Sequence, residues 1–208
     1  ENELSYLRAD LKDIDDLIAG CNNKTSVFLL FLKESAARCG EAFNLRWTDV
    51  DLELKTARIK PEKGSNPRIV RISQNLANRL GSIPRTSERV FDFSSLRYFS
   101  GSFRKQRKRI TQRLQNPRIM QIHFHTIRHW KASITYAQKP DILYVMDMLG
   151  HRSIKNTMTY VHIANTLFSG AETDYVVKVA SSVGDAVRFV EKGFEYVTGE
   201  YGDGGKVF

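Results

Sequence analysis

The chain has 208 residues, 41% of them apolar and 26% charged, which suffices for one large domain or two small ones and argues against disorder. No apolar run approaches the roughly 20 residues of a membrane helix, and the longest, Ser26–Leu32, reads as a buried helix segment. The formal charge of +9 is unevenly placed: residues 1–20 carry −4 and residues 165–208 carry −3, leaving +16 on residues 21–164, a balance that favours a polyanionic partner.

In chain order, Leu4, Leu7, Leu11, Ile14, Leu17 and Ile18 recur at helical spacing, and Gly20-Cys21-Asn22-Asn23 ends that helix. Further helices are predicted over 25–37 and 40–45. The period then changes to two over 54–60 and 68–73, separated by Pro61-Glu-Lys-Gly-Ser-Asn-Pro67, which predicts a β-hairpin. Helical patterns resume at 74–80, 95–115, 126–137, 141–149 and 153–163. The last segment differs: Asp174–Ala180 and Phe194–Val197 are strand-like, and Ser182-x-x-Asp185 suits a capping box opening a short helix between them. The prediction is an α+β, mostly helical protein with a small hairpin, divided into residues 1–164 and a βαβ-like extension, 165–208. Cys21 and Cys39 fit neither a disulfide framework nor a zinc site, and Glu1-Asn2-Glu3 is no secretory leader, so the expected compartment is the reducing cytoplasm.

Several residues could carry chemistry. His125 and Arg128, three apart, share one helix face; an arginine fork grips phosphate oxygens and an imidazole exchanges protons near neutral pH. Tyr160 follows His151 by nine residues and lies about two helical turns after Ser153, a plausible N-cap. Its ring reads either as a nucleophile's or as one of eight ordinary tyrosines packed in a core. Glu41 either braces Arg38 or is a surface neighbour, and Lys63 at the hairpin tip either reaches into a groove or is simply solvated. Six basic side chains crowd into Arg104–Arg113 and cannot all point one way on a helix; Arg104, Lys105, Arg107, Lys108 and Arg109, with Lys131, read either as solvated or as contacts to a polyanion's phosphates. His123, His125 and His129 gain no carboxylate or cysteine, so no metal is expected. Trp47 and Trp130 read as core supports.

Taken in order, Arg38-x-x-Glu41, a hairpin lysine, His125-x-x-Arg128, Gly150-His151 and Tyr160 resemble the tyrosine recombinase (phage integrase) catalytic domain over about residues 4–163. The strongest stretches are Ala42–Asp51, His125–His129 and Leu149–Tyr160. Residues 175–182 and 193–197 resemble the ending of archaeal plasmid and virus integrases. The resemblance implies site-specific cleavage and rejoining of double-stranded DNA through a 3′-phosphotyrosyl intermediate, without metal, cofactor or ATP. Tyr160 is the implied nucleophile, Arg38 and Arg128 the phosphate grips, and His125 the acid/base helper. His151 is implied to donate to the phosphate and Lys63 to protonate the leaving 5′ oxygen. It further implies a synaptic tetramer on DNA and an N-terminal core-binding domain, expected to be missing here by natural or engineered truncation. Two rivals stand beside it: a type IB topoisomerase, and a DNA-binding regulator that has lost catalysis. One departure is local: the family's Thr-Gly-Leu type of turn before the first arginine is Ser35-Ala36-Ala37 here. The extension reads three ways: a capping module, a contact exchanged between protomers, or a flap near Tyr160.

Overall fold

The computed structural model describes residues 11–62 and 64–168, with 179, 180, 182, 187, 188, 206 and 207 beyond them. The chain forms two compact units, Glu1–Ser169 and Gly170–Phe208. In the first, α1 (Leu11–Gly20), α2 (Asn23–Ser35) and α3 (Cys39–Phe43) lead into strands β1 (Val50–Asp51), β2 (Thr56–Ile59) and β3 (Arg68–Arg71). Helices α4 (Gln74–Gly81), α5 (Leu96–Leu114), α6 (Phe124–Gln138), α7 (Ile142–Leu149) and α8 (Lys155–Phe168) follow.

Helix α2 is the axis of the core. Its segment from Thr25 to Leu32 is buried on every side, as expected of a helix apolar all round. Asn22 caps it, its side chain accepting from the Thr25 N–H at 3.0 Å. The Phe28 ring meets Phe91 and Phe99 edge-on at 4.9 and 4.8 Å, and Phe124 from α6 at 5.8 Å. The buried polar groups of α2 are matched: Ser26 Oγ donates to the Ile18 carbonyl, and Gln106 of α5 bridges Asn22 N and Thr25 Oγ1. A second, smaller cluster joins Ala132 of α6, Val145 and Leu149 of α7, and Tyr160 and Ile163 of α8 around Ala36.

The three strands form an antiparallel sheet in the order β1-β2-β3, with Ala57 opposite Val70. Both hairpin strands are shorter than the sequence predicts, because Leu52–Lys55 is a turn with Lys55 at φ 53°. Strand β1 and the 3-10 turns Trp47–Asp49 and Pro117–Gln121 are too short to show a period and were not predicted. Trp47 and Trp130 pack against the main core. Helix α2 stops at Ser35, two residues early, because Ala36 takes a left-handed conformation at φ 51°. In the second unit, Val179–Ala180 pairs antiparallel with Lys206–Val207, and Val187 and Arg188 are helical. The expected strand 194–197 and the partner of Ser182 in the capping box lie outside the described residues. No helix among the described residues is long and apolar enough to cross a membrane.

Candidate active site

The left-handed turn at Ala36 does two things. It frees the Ala36 carbonyl from helix α2, and it places Arg38 at the N-cap of α3. An alanine in that conformation costs about 1 kcal/mol that glycine avoids, so Ser35-Ala36-Ala37 keeps a bend of the type glycine favours despite lacking the glycine. Glu41 at the third position of α3 reaches back to the Arg38 N–H at 2.8 Å, one half of a capping box. Its carboxylate is fully buried and also accepts from Arg38 Nη1 at 3.3 Å and from Arg68 Nη2 at 2.7 Å. Burial pushes the Glu41 carboxyl up, but the Arg68 hydrogen bond and the Arg38 N–H outweigh it and hold the group below the usual range. Glu41 is therefore a buried ionised brace, not a surface neighbour.

Arg128, on α6, is 3% exposed. Its Nη1 donates to the Ala36 carbonyl, and its Nη2 donates to the Leu149 carbonyl at 2.9 Å and faces His151 Nε2 at 3.2 Å. Burial lowers its pKa to about 10, with Tyr160 acting in the opposite direction, so it stays charged at neutral pH. His151 is held between Arg128 and Thr157, whose Oγ1 lies 3.0 Å from His151 Nδ1. Burial first, then Arg128, Arg38 and Arg68, push the His151 pKa down to about 4. The ring is therefore neutral near pH 7. Because Arg128 can only donate, Nε2 is the acceptor and Nδ1 carries the proton toward Thr157.

Tyr160 is 6% exposed, and its ring lies 5.3 Å from that of His129 and 6.1 Å from that of His151. The core-packing reading of Tyr160 is thus correct for its ring, and Arg128 feels its phenol electrostatically. His125 sits on the first turn of α6 with its outer edge open to solvent, and partial desolvation of its inner edge, then Arg128 and Arg38, lower its pKa. Lys63 lies outside the described residues. Just beyond it, the hairpin is fastened to the turn before α8: Ser65 bridges to His151, Asn66 N–H donates to the Gly150 carbonyl at 2.8 Å, and Arg38 Nη1 donates to Ser65 Oγ. Gly150 has φ 67°, and a Cβ there would stand 2.8 Å from the Asn66 carbonyl oxygen and 2.9 Å from Arg68 Nη1. Gly150→Ala is expected to cost about 2 kcal/mol or more in urea denaturation; an unchanged midpoint would contradict this packing.

Arg38, Arg128, His151 and Tyr160 thus converge, with His125 at the rim. The basic helix α5 divides. Arg104, Lys105, Lys108 and Arg109 are exposed, but Arg107 is 5% exposed and turned inward, donating to the Ile122 carbonyl at 2.6 Å and facing His123 Nδ1 at 2.9 Å. Arg107 is corrected from a DNA contact to a structural tie, because the helix puts it on the side of Phe103 and Ile110. Lys131 is half-buried. Among the described residues no cluster of histidine, cysteine or carboxylate could hold a metal. Sequence reasoning overlooked Arg68, Ser65, Thr157 and the tilted contact of His129 with the Tyr160 ring. Arg68 was readable: with Val70 and Ile72 facing inward, the two-residue period puts Arg68 on the same side.

The neutral histidines set an acid limit on stability. His151 and His129 both titrate near about 4 when folded, the latter by burial and then His125 and Arg128, against about 6.5 unfolded. Folded values below unfolded ones mean stability present above about pH 6.5 and lost as pH falls toward 4, on the order of 3 kcal/mol for each ring. Melting curves from pH 7.5 to 4.5 check this, and a flat profile would refute it.

The phage integrase family model matches residues 8–166. The chain belongs to the phage integrase family. Curated relatives include the shufflon-specific DNA recombinase of Escherichia coli, 31% identical over 62% of this chain and 32% of its own length. Another is tyrosine recombinase XerA of Saccharolobus solfataricus, 21% identical over 84% of this chain and 59% of its own. The chain spans 32% to 59% of the length of the first four curated relatives it matches. Among solved structures, the catalytic domain of bacteriophage HP1 integrase aligns with a TM-score of 0.57 at 26% identity, covering 78% of this chain and 90% of that one. A XerA recombinase aligns with a TM-score of 0.60 at 18% identity, covering 90% and 65%, which shows the shared tyrosine recombinase catalytic-domain fold.

Proposed function

We propose that this phage integrase family chain is the catalytic part of a site-specific DNA recombinase, and that Tyr160 is its nucleophile. The observation that carries this reading is the placement of the Tyr160 ring against His151 and beside the buried, charged Arg128. A phosphodiester resists attack through its negative charge and poor leaving group, so a metal-free site must supply cations, a nucleophile and an acid. Arg38 and Arg128 grip the non-bridging oxygens and offset the charge of the pentavalent transition state. The Tyr160 oxygen attacks phosphorus as its proton passes to His125, which is neutral and exposed. The 5′ oxygen departs with a proton from Lys63, leaving a 3′-phosphotyrosyl bond that a second strand's 5′ hydroxyl reverses. His151 completes the phosphate's hydrogen bonds.

The partner is double-stranded DNA at an attachment site, contacted through the exposed Arg104, Lys105, Lys108 and Arg109 and through Lys131. Related structures include XerH bound to its difH substrate, which supports a DNA ligand here. The reading extends to a synaptic tetramer of the whole protein and to action in the cytoplasm. The second unit, Gly170–Phe208, begins five residues after the predicted boundary at 165, and the sequence of this extension supports an archaeal virus or plasmid element as the source. The test is a nicked suicide duplex incubated with the protein and run on a denaturing gel. A covalent protein–DNA band supports the enzyme; binding without a band supports a regulator.

A further inference from the structure

We infer that Arg68 is a positioning residue for DNA cleavage, holding Glu41 off Arg38 so that the Arg38 guanidinium remains available to the scissile phosphate. The inference rests on the recombinase reading above and adds a residue to it. Three observations carry it.

First, the Glu41 side chain is fully buried, and both of its oxygens are shared between two arginines. Arg68 holds the tighter share, Nη2 to Oε2 at 2.7 Å and Nη1 to Oε1 at 3.3 Å, in the forked geometry that suits a guanidinium. Arg38 Nη1 has a single 3.3 Å contact to the same carboxylate. Secondly, the exposures differ in the matching sense: the Arg68 side chain is 7% exposed, whereas that of Arg38 is 29% exposed. Arg68 is committed to the interior, and Arg38 keeps an open edge. Thirdly, Arg68 packs close against Gly150, its Nη1 lying 2.9 Å from where a Cβ on that residue would stand, so the guanidinium occupies space that the glycine leaves open.

The electrostatic logic follows. A buried carboxylate needs compensating charge, and an arginine bound by a carboxylate on its phosphate-gripping edge is neutralised for phosphate. Two arginines on one glutamate leave a net positive charge, and the geometry assigns the neutralised share to Arg68. Without Arg68, Glu41 would turn its second oxygen onto Arg38 and draw it from the phosphate. The hydrogen bond from Glu41 to the Arg38 N–H, which caps α3, is not what Arg68 supplies.

The decisive experiment is an epistasis test on the purified chain with the nicked suicide duplex, reading the single-turnover rate of adduct formation beside DNA affinity and melting temperature. Arg68→Gln should slow adduct formation about tenfold to a hundredfold with DNA affinity changed less than about threefold. Adding Glu41→Gln should then restore the rate at least about fivefold over the single variant, because the competing charge is gone. A purely structural Arg68 predicts the reverse, since a second lost partner damages the site further. Arg68→Lys, which keeps the charge, guards against misfolding of the glutamine variant and should stay within about fivefold of the unmodified chain. Arg68→Gln cleaving at the original rate, a double variant no faster than the single, or a larger loss in Arg68→Lys at unchanged melting temperature overturns the inference. Absence of any adduct in the unmodified chain overturns the recombinase reading itself, and this role with it.

Discussion

Tyr160→Phe is expected to abolish covalent capture of a nicked suicide duplex, lowering adduct formation by at least about a thousandfold, while melting temperature and DNA affinity barely move. The expectation follows from the two environments of one side chain. The ring fills the cluster of Ala132, Val145, Leu149 and Ile163 between α6, α7 and α8, and phenylalanine keeps that packing. The lost hydroxyl is the group proposed to bond to phosphorus. A phenylalanine variant that still formed an adduct would remove Tyr160 from the mechanism and shift attention to another nucleophile.

Arg128→Ala should fail in a different way, losing cleavage and several kcal/mol of stability together. Its guanidinium satisfies the Ala36 and Leu149 carbonyls, at the ends of α2 and α7, and the Nε2 of His151. Each buried acceptor left unpaired costs about 1–3 kcal/mol, so a loss of roughly 3–5 kcal/mol is expected. Arg38→Ala removes a more open side chain and should cost about 10²–10³ in cleavage rate with a smaller fall in melting temperature. Paired melting and single-turnover measurements separate the two. Equal melting temperatures for Arg128→Ala and the unmodified chain would show that this arginine is not a structural clamp.

The sequence carried most of the helices because their apolar periods are long, and it carried the site because five elements stand in order along the chain. It could not show how the elements close on one another. Tyr160 read as either core or nucleophile because a one-dimensional pattern cannot separate a ring from its hydroxyl; the structure packs the ring in the smaller core cluster, which is compatible with the nucleophile role proposed for the hydroxyl. Arg107 was misread because six basic residues in ten cannot all face outward on one helix, and the burial of Phe103 and Ile110 decides which turns in. The inward facing of Arg68 was readable from the strand period, but its role was not, because a charge on the inner face of a strand has meaning only when its counter-charge, 27 positions earlier, is known. The bend at Ala36 was hidden for another reason: alanine gives no sign of a left-handed backbone.

That bend has a mechanical consequence. Arg128 is anchored to the Ala36 carbonyl and Arg38 begins the next helix two residues later, so both guanidinium groups are referenced to one short, buried break in the chain. They act like the jaws of a calliper locked at one gauge when the protein folds. Much of the cost of organising them is met during folding. On the recombinase reading proposed above, adjustment to the correct phosphate is expected from the duplex, whose readiness to bend and shift its backbone depends on its own sequence.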